Sequence, residues 1–298
     1  MKRSGRIWQR LVPLLAGLLL PAAGAAATPI HADGVLWEVQ GPGETQPSHV
    51  FGTIHSDDPR VLDLDPAIER AFRSSRQYAF ELDFDADIRQ TMAQAMFDRA
   101  PPTLEEQLGD DDWRRARSAA QARGVPVNAL QSMEPWALAI TISLPPMDPA
   151  ATLDRVLFQR ASDLGRPVHG LETAKEQLSL FDDLPEHDQL DLLRATLDLA
   201  EQDALAPMFE SLTAAWLRGD LAALMEISES NPMLPDGERN DAFTKKVVDE
   251  RNERMVERMQ PLIERGGAFV AVGALHLPGE RGVLRLLEEA GYTVTPVD

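Results

Sequence analysis

Cysteine is absent from all 298 residues. A disulfide framework, a thiolate zinc or iron–sulfur site, a cysteine nucleophile and lipoprotein processing are excluded with it. Basic charge is scarce, since 29 Lys+Arg against 48 Asp+Glu leave a net charge of −19. Nucleic-acid binding needs clustered Lys and Arg over phosphates, so the charge balance speaks against it. The apolar run Leu11–Leu20 falls far short of the ~20 residues that a membrane-spanning helix requires. No His-Glu-x-x-His, Gly-x-Ser-x-Gly or P-loop motif occurs. Asp83-x-Asp85-x-Asp87 starts as a calcium loop would. Ile88 and Gln94 then stand where such a loop needs Gly and Glu, so it reads as an acidic helix start.

What is present describes a folded acidic protein. The apolar fraction of 44% is that of a globular chain, and its length buries roughly three quarters of the unfolded surface. Residues 1–27 read as a secretory signal. Lys2, Arg3, Arg6 and Arg10 precede the apolar run, and the small residues Ala22 to Ala27 suit cleavage. Export is expected, to the periplasm if the source is a Gram-negative bacterium. Stable membrane insertion after cleavage is not. Residues 28–298 are expected to form a single domain.

Hydrophobic periodicity places strands at both ends of that domain. Val35–Gln40 and Ser48–Ile54 alternate around Gly41-Pro42-Gly43, as a hairpin does. Asp65–Ser75 has helical spacing and leads into the apolar strand Gln77–Leu82. Thr103-Leu-Glu-Glu106 and Thr173-Ala-Lys-Glu176 are capping boxes. Helices are expected over 110–123, 134–143, 153–164, 186–200, 203–217, 220–228 and 241–264, with one short strand at Arg166–Leu171 between them. Strand 268–272, helix 280–290 and strand 292–297 close the chain. The fold class is therefore α/β: a central mixed sheet formed by N- and C-terminal segments, with a large helical insertion over about 101–265.

Two apolar strands end alike, in Gly52-Thr-Ile-His55 and Gly273-Ala-Leu-His276. Gly permits a tight turn or close backbone approach there, and the His projects at the sheet edge where open α/β sheets gather ligands. Glu81 and Asp83 leave one further strand, and Glu172 leaves another. Imidazole and carboxylate together suit a divalent metal. A single Gly-x-x-His is more often a capped loop residue; two placed alike beside strand-end acids weigh against that reading. His31, His49, His169 and His187 carry no comparable setting. Arg251-Asn252 lies inside the helix at 241–264 and in isolation reads as surface.

At these residues the chain resembles the TraB/GumN family, which includes the Tiki and PrgY-type proteins. The marks are Val50-Phe-Gly-Thr-Ile-His55, Phe80-Glu-Leu-Asp83, Pro135-Trp-Ala-Leu-Ala139, Gly170-Leu-Glu-Thr173 with Gln177, Trp216-Leu-Arg-Gly-Asp220, Arg251-Asn252 and Val272-Gly-Ala-Leu-His-Leu-Pro-Gly279. The resemblance implies a fold akin to the erythromycin-esterase and ChaN-like (EreA/ChaN-like) proteins. It also implies an active centre of both Gly-x-x-His histidines and a strand-end Glu, which in the Tiki branch looks like a divalent-metal protease site. Carried over by residue, His55 and His276 are metal ligands, with Glu81 as ligand or general base. Glu172, Arg251 and Asn252 match further family positions and join the candidate catalytic set.

The reading is an exported metal-dependent hydrolase, most simply peptidase-like, taking a peptide or small molecule and using Zn, Mn or Co. Two alternatives stay open. One is a non-catalytic periplasmic binding protein for haem, a metal or a peptide; the other is a metal-free esterase-like hydrolase with His55 as base. The oligomeric state is left open.

Overall fold

A computed structural model describes residues 30–41, 43, 46–83, 86–97, 101–230 and 245–297. The signal-like segment 1–27 lies outside them.

Six strands form one sheet. They are β1 (Leu36–Gln40), β2 (Ser48–Thr53), β3 (Gln77–Phe80), β4 (Val168–Gly170), β5 (Ala268–Gly273) and β6 (Thr293–Pro296), in the order β4-β3-β5-β2-β1-β6. β4, β3, β5 and β2 run parallel, whereas β1 pairs antiparallel with both β2 and β6. Every residue of β3 and β5 is buried, as expected of parallel strands covered on both faces. The mixed sheet of the α/β reading is therefore present. β4 reaches it from within the helical insertion and takes an edge beside β3.

Local chemistry fixes the helix starts. Asp65 accepts from the Ala67 N–H at 2.7 Å ahead of helix Pro66–Ser74. Thr103 and Thr173 close both expected capping boxes, with Glu106 and Glu176 reaching back to the cap N–H groups. The helix anticipated from residue 110 begins at Leu104, and Gly109 (φ 72°, ψ 173°) kinks it. The helix anticipated over 241–264 is described from Lys245. Residues Lys245–Asp249 form a π-turn, and α-helix Glu250–Arg265 follows; residues 241–244 lie outside the described set. π-turns often mark functional positions, and this one ends two residues before Arg251.

One apolar core runs from the sheet into the insertion. Helix Pro135–Ser143 lies deep within it, with eight of its nine residues buried. Among the described residues no helix is long and apolar enough to cross a membrane.

Candidate active site

Because β2, β3, β4 and β5 are parallel, their carboxyl ends share one edge. The pairing Gly52↔Val272 and Thr53↔Gly273 lays the two Gly-x-x-His motifs side by side, and Glu81 and Glu172 leave the neighbouring strands. Gly52 is required by contact. A Cβ built on it would lie 2.8 Å from Leu277 Cδ1 and 2.9 Å from Ala274 Cα, inside the 3-10 turn Ala274–His276. Its carbonyl accepts from Trp216 Nε1 at 2.9 Å, so a helix of the insertion anchors the first motif.

Arg251 binds the two glutamates together. Its Nη2 donates to Glu172 Oε2 at 2.6 Å and to Glu81 Oε2 at 2.9 Å, and its Nε donates to both Glu172 oxygens. Gln177 Nε2 bridges the same carboxylates at 3.0 and 3.1 Å, and Arg254 adds a 3.1 Å bond to Glu172. Arg251 and Asn252, which in isolation read as surface, are only 2% and 0% exposed. Burial pushes the Glu172 carboxyl up, but Arg251 and its other donors outweigh burial and hold it below the usual range. Glu81 goes the other way: burial and the Glu172 charge raise it in spite of Arg251. Arg251 is held charged by both acids against its own desolvation.

His276 is 1% exposed. Asn252 Nδ2 donates to the Arg281 carbonyl at 2.8 Å, which leaves Oδ1 to accept from His276 Nδ1 at 2.7 Å. The proton therefore sits on Nδ1, and Nε2 keeps its lone pair. Nε2 is buried, has no hydrogen-bond partner among the described residues and lies 3.8 Å from Glu81 Oε1. Burial and then the Arg251 charge push the imidazole well below its ordinary value, so it stays neutral.

His55 follows β2 by two residues, and its side chain is 22% exposed. Its Nδ1 lies 3.5 Å from Asp154 Oδ2, and Thr53 Oγ1 donates to Asp154 Oδ1 at 2.5 Å. Sequence reasoning missed Asp154, which looks there like any acid in a helix's first turn. Thr53, Arg254 and the bridging role of Gln177 left no local signal either.

The remaining histidines stay apart. His31 packs edge-on against Trp37 with centroids 4.9 Å apart, tighter than its place near the expected mature terminus suggests. His187 is 63% exposed, as its acidic helix start implied. Trp136 stacks on Phe181, and like Trp216 it is buried in the core.

The donors fit a divalent ion in kind. A neutral imidazole with a buried, unpartnered Nε2 has the chemistry of a nitrogen ligand, and Glu81 Oε1, 3.8 Å away, already accepts from the Gly273 N–H. Among the described residues, however, no group of three or more His, Asp or Glu side chains is gathered closely enough to hold an ion.

The sequence profile of the TraB/PrgY/gumN family matches residues 35–296. Metalloprotease TIKI2 of Danio rerio is 28% identical over 313 aligned positions, covering 87% of this chain and 60% of its own length. Metalloprotease TIKI1 of Homo sapiens is 25% identical over 312 positions, covering 87% of this chain and 61% of its own length. Uncharacterized protein YbaP of Shigella flexneri is 23% identical over 247 positions, with 80% and 87% covered. The chain thus spans less than two thirds of the TIKI relatives' length. No solved structure matches, so the expected kinship with erythromycin-esterase and ChaN-like folds rests on the sequence resemblance alone.

Proposed function

The chain belongs to the TraB/PrgY/gumN family, and from that premise and the geometry above we propose that it is a metal-dependent hydrolase acting on peptides. The observation that carries the proposal is His276. Its ring is held by Asn252, neutral, and offers a bare buried Nε2 beside Glu81 at the shared strand edge. The named activity of the TIKI relatives supplies the class of reaction, and the peptide substrate comes with it.

His276 and His55 would hold the ion through imidazole nitrogen. Once bound, it would supply Lewis acidity, polarising a carbonyl and acidifying water. Glu81 acts as proton carrier rather than as a third fixed donor. Its Oε1 already accepts a 2.6 Å bond from the Gly273 N–H, and its Oε2 accepts from Arg251 and Gln177. In this position it takes a proton from attacking water and returns it to the leaving amine. Glu172 serves as the counter-charge that sets Arg251, and Arg251 keeps positive charge where an oxyanion develops. Export through the segment 1–27 belongs to the same reading.

The test measures metal content by mass spectrometry and cleavage of a fluorogenic peptide set, for wild type, His55→Ala and His276→Ala. Chelation and either substitution are expected to abolish both bound metal and cleavage. Metal retained in both variants defeats the proposal. Full hydrolysis after exhaustive chelation points instead to an esterase-like enzyme, and stoichiometric metal without turnover to a binding protein.

A further inference from the structure

The two histidines sit in matching motifs, yet their supports differ. His276 leans on a neutral amide. His55 faces a carboxylate that three contacts lock into place. Thr53, the last residue of β2, donates to Asp154 Oδ1 at 2.5 Å. The Leu153 N–H donates to the Ser56 carbonyl at 3.0 Å. The Asp148 N–H donates to Asp57 Oδ2 at 2.8 Å. The start of helix Leu153–Asp163 is thereby stitched to the loop on both sides of His55.

Asp154 Oδ2 is buried and has no hydrogen-bond partner among the described residues. His55 Nδ1 lies 3.5 Å from it. That is long for a hydrogen bond, but such bonds are often loose before a ligand arrives. A small turn of the imidazole closes it.

We infer that Asp154 is a positioning residue: its carboxylate holds the proton of His55 on Nδ1 and so turns the Nε2 lone pair toward the strand edge, with Thr53 holding the carboxylate. Both Gly-x-x-His rings then present the same nitrogen, one backed by an amide oxygen and one by an anion. A carboxylate behind an imidazole strengthens it as a donor and fixes its orientation. The inference rests on the hydrolase reading only for the purpose this serves.

The experiment uses the chelator-treated full chain with 15N-labelled histidines at mildly alkaline pH, where long-range 15N–1H correlations report each tautomer. Loss of signals in His55→Gln assigns His55 among the six histidines. Wild-type His55 is expected as the Nδ1–H form, and Asp154→Ala to convert it mainly to Nε2–H. His276, tied to Asn252, is expected to keep its Nδ1–H signature in the variant, which certifies the fold. A wild-type His55 already in the Nε2–H form, or one that ignores Asp154→Ala while His276 is intact, overturns the inference. In a second arm, zinc affinity is expected to fall about 10–100-fold in Asp154→Ala. A wild type that binds none of zinc, manganese or cobalt sinks the hydrolase reading and leaves the tautomer result standing. A zinc-binding wild type whose His55 tautomer is independent of Asp154 sinks this inference alone.

Discussion

Arg251 carries the electrostatics of the site on a single side chain. Two carboxylates, Glu81 and Glu172, are brought together with side chains only 12% and 0% exposed, and without a cation between them they would repel in a medium that screens poorly. Removing one member of a buried charge set leaves the others uncompensated, at a typical cost of about 3–5 kcal/mol. Arg251→Ala is therefore expected to lower unfolding free energy by that order in a urea titration; a loss below about 1 kcal/mol would contradict the account. This residue also marks the limit of what sequence reveals. His55, His276 and Glu81 were legible because each follows an apolar strand, and Glu172 because it follows a short one; the strand itself says where the side chain emerges. Arg251 and Asn252 sit mid-helix, where their own neighbours resemble a solvated face, so only the family resemblance singled them out. Asp154 had neither signal: its importance arises from Thr53 and His55, about 100 positions away in the chain.

At the level of elements, the first motif works by close approach. The turn that carries His276 lies against the backbone of β2, and the missing side chain at position 52 makes the room. Gly52→Ala would set a Cβ 2.9 Å from Ala274 Cα, a backbone atom that cannot step aside. Overpacking of this kind costs about 1–3 kcal/mol. A midpoint in denaturant indistinguishable from wild type would refute the steric account. A second element-level prediction concerns pH. Glu176 closes the capping box of helix Ala174–Asp182, and its carboxyl is lowered to about 2, chiefly by Arg258. Because the folded form holds the proton less tightly than the unfolded one, this stabilisation is complete above about 4.5 and is lost as pH falls toward about 2. The group is partly exposed, so the effect is on the order of 0.5 kcal/mol. The Tm difference between wild type and Glu176→Gln should be present at neutral pH and vanish at the acid end; a gap that persists there would count against the linkage. Both capping boxes, the hairpin and the strand positions were legible because their signals are local. The break at Gly109 falls where the helix expected over 110–123 begins, so it too was legible, whereas the π-turn at Lys245–Asp249 was not, since it leaves the hydrophobic period of the helix that follows it intact.

At the scale of the molecule, the order β4-β3-β5-β2-β1-β6 makes the site a late event in assembly. β5 comes from the last residues of the chain, yet it lies between β3 and β2, so the sheet is two separate ladders until residues 268–273 arrive. Pairings of such large sequence separation are costly to close and slow to form. His276 enters with β5, so the second imidazole cannot reach the first until β5 has paired with β2. β6 is different: it lies at the outer edge beside β1, with three of its four residues exposed. Two shortened chains separate these roles. A chain ending at Tyr292 loses only the edge strand and is expected to unfold cooperatively at a lower Tm. A chain ending at Gly267 loses the strand that joins the ladders. It is expected to lack both a cooperative transition and the near-ultraviolet circular dichroism of packed aromatics, since Phe51, Phe72 and Tyr78 all pack against Phe269. A native-like spectrum and a sharp transition in that shorter chain would mean that the sheet does not depend on β5, and that the convergence of the two motifs is not built into the fold.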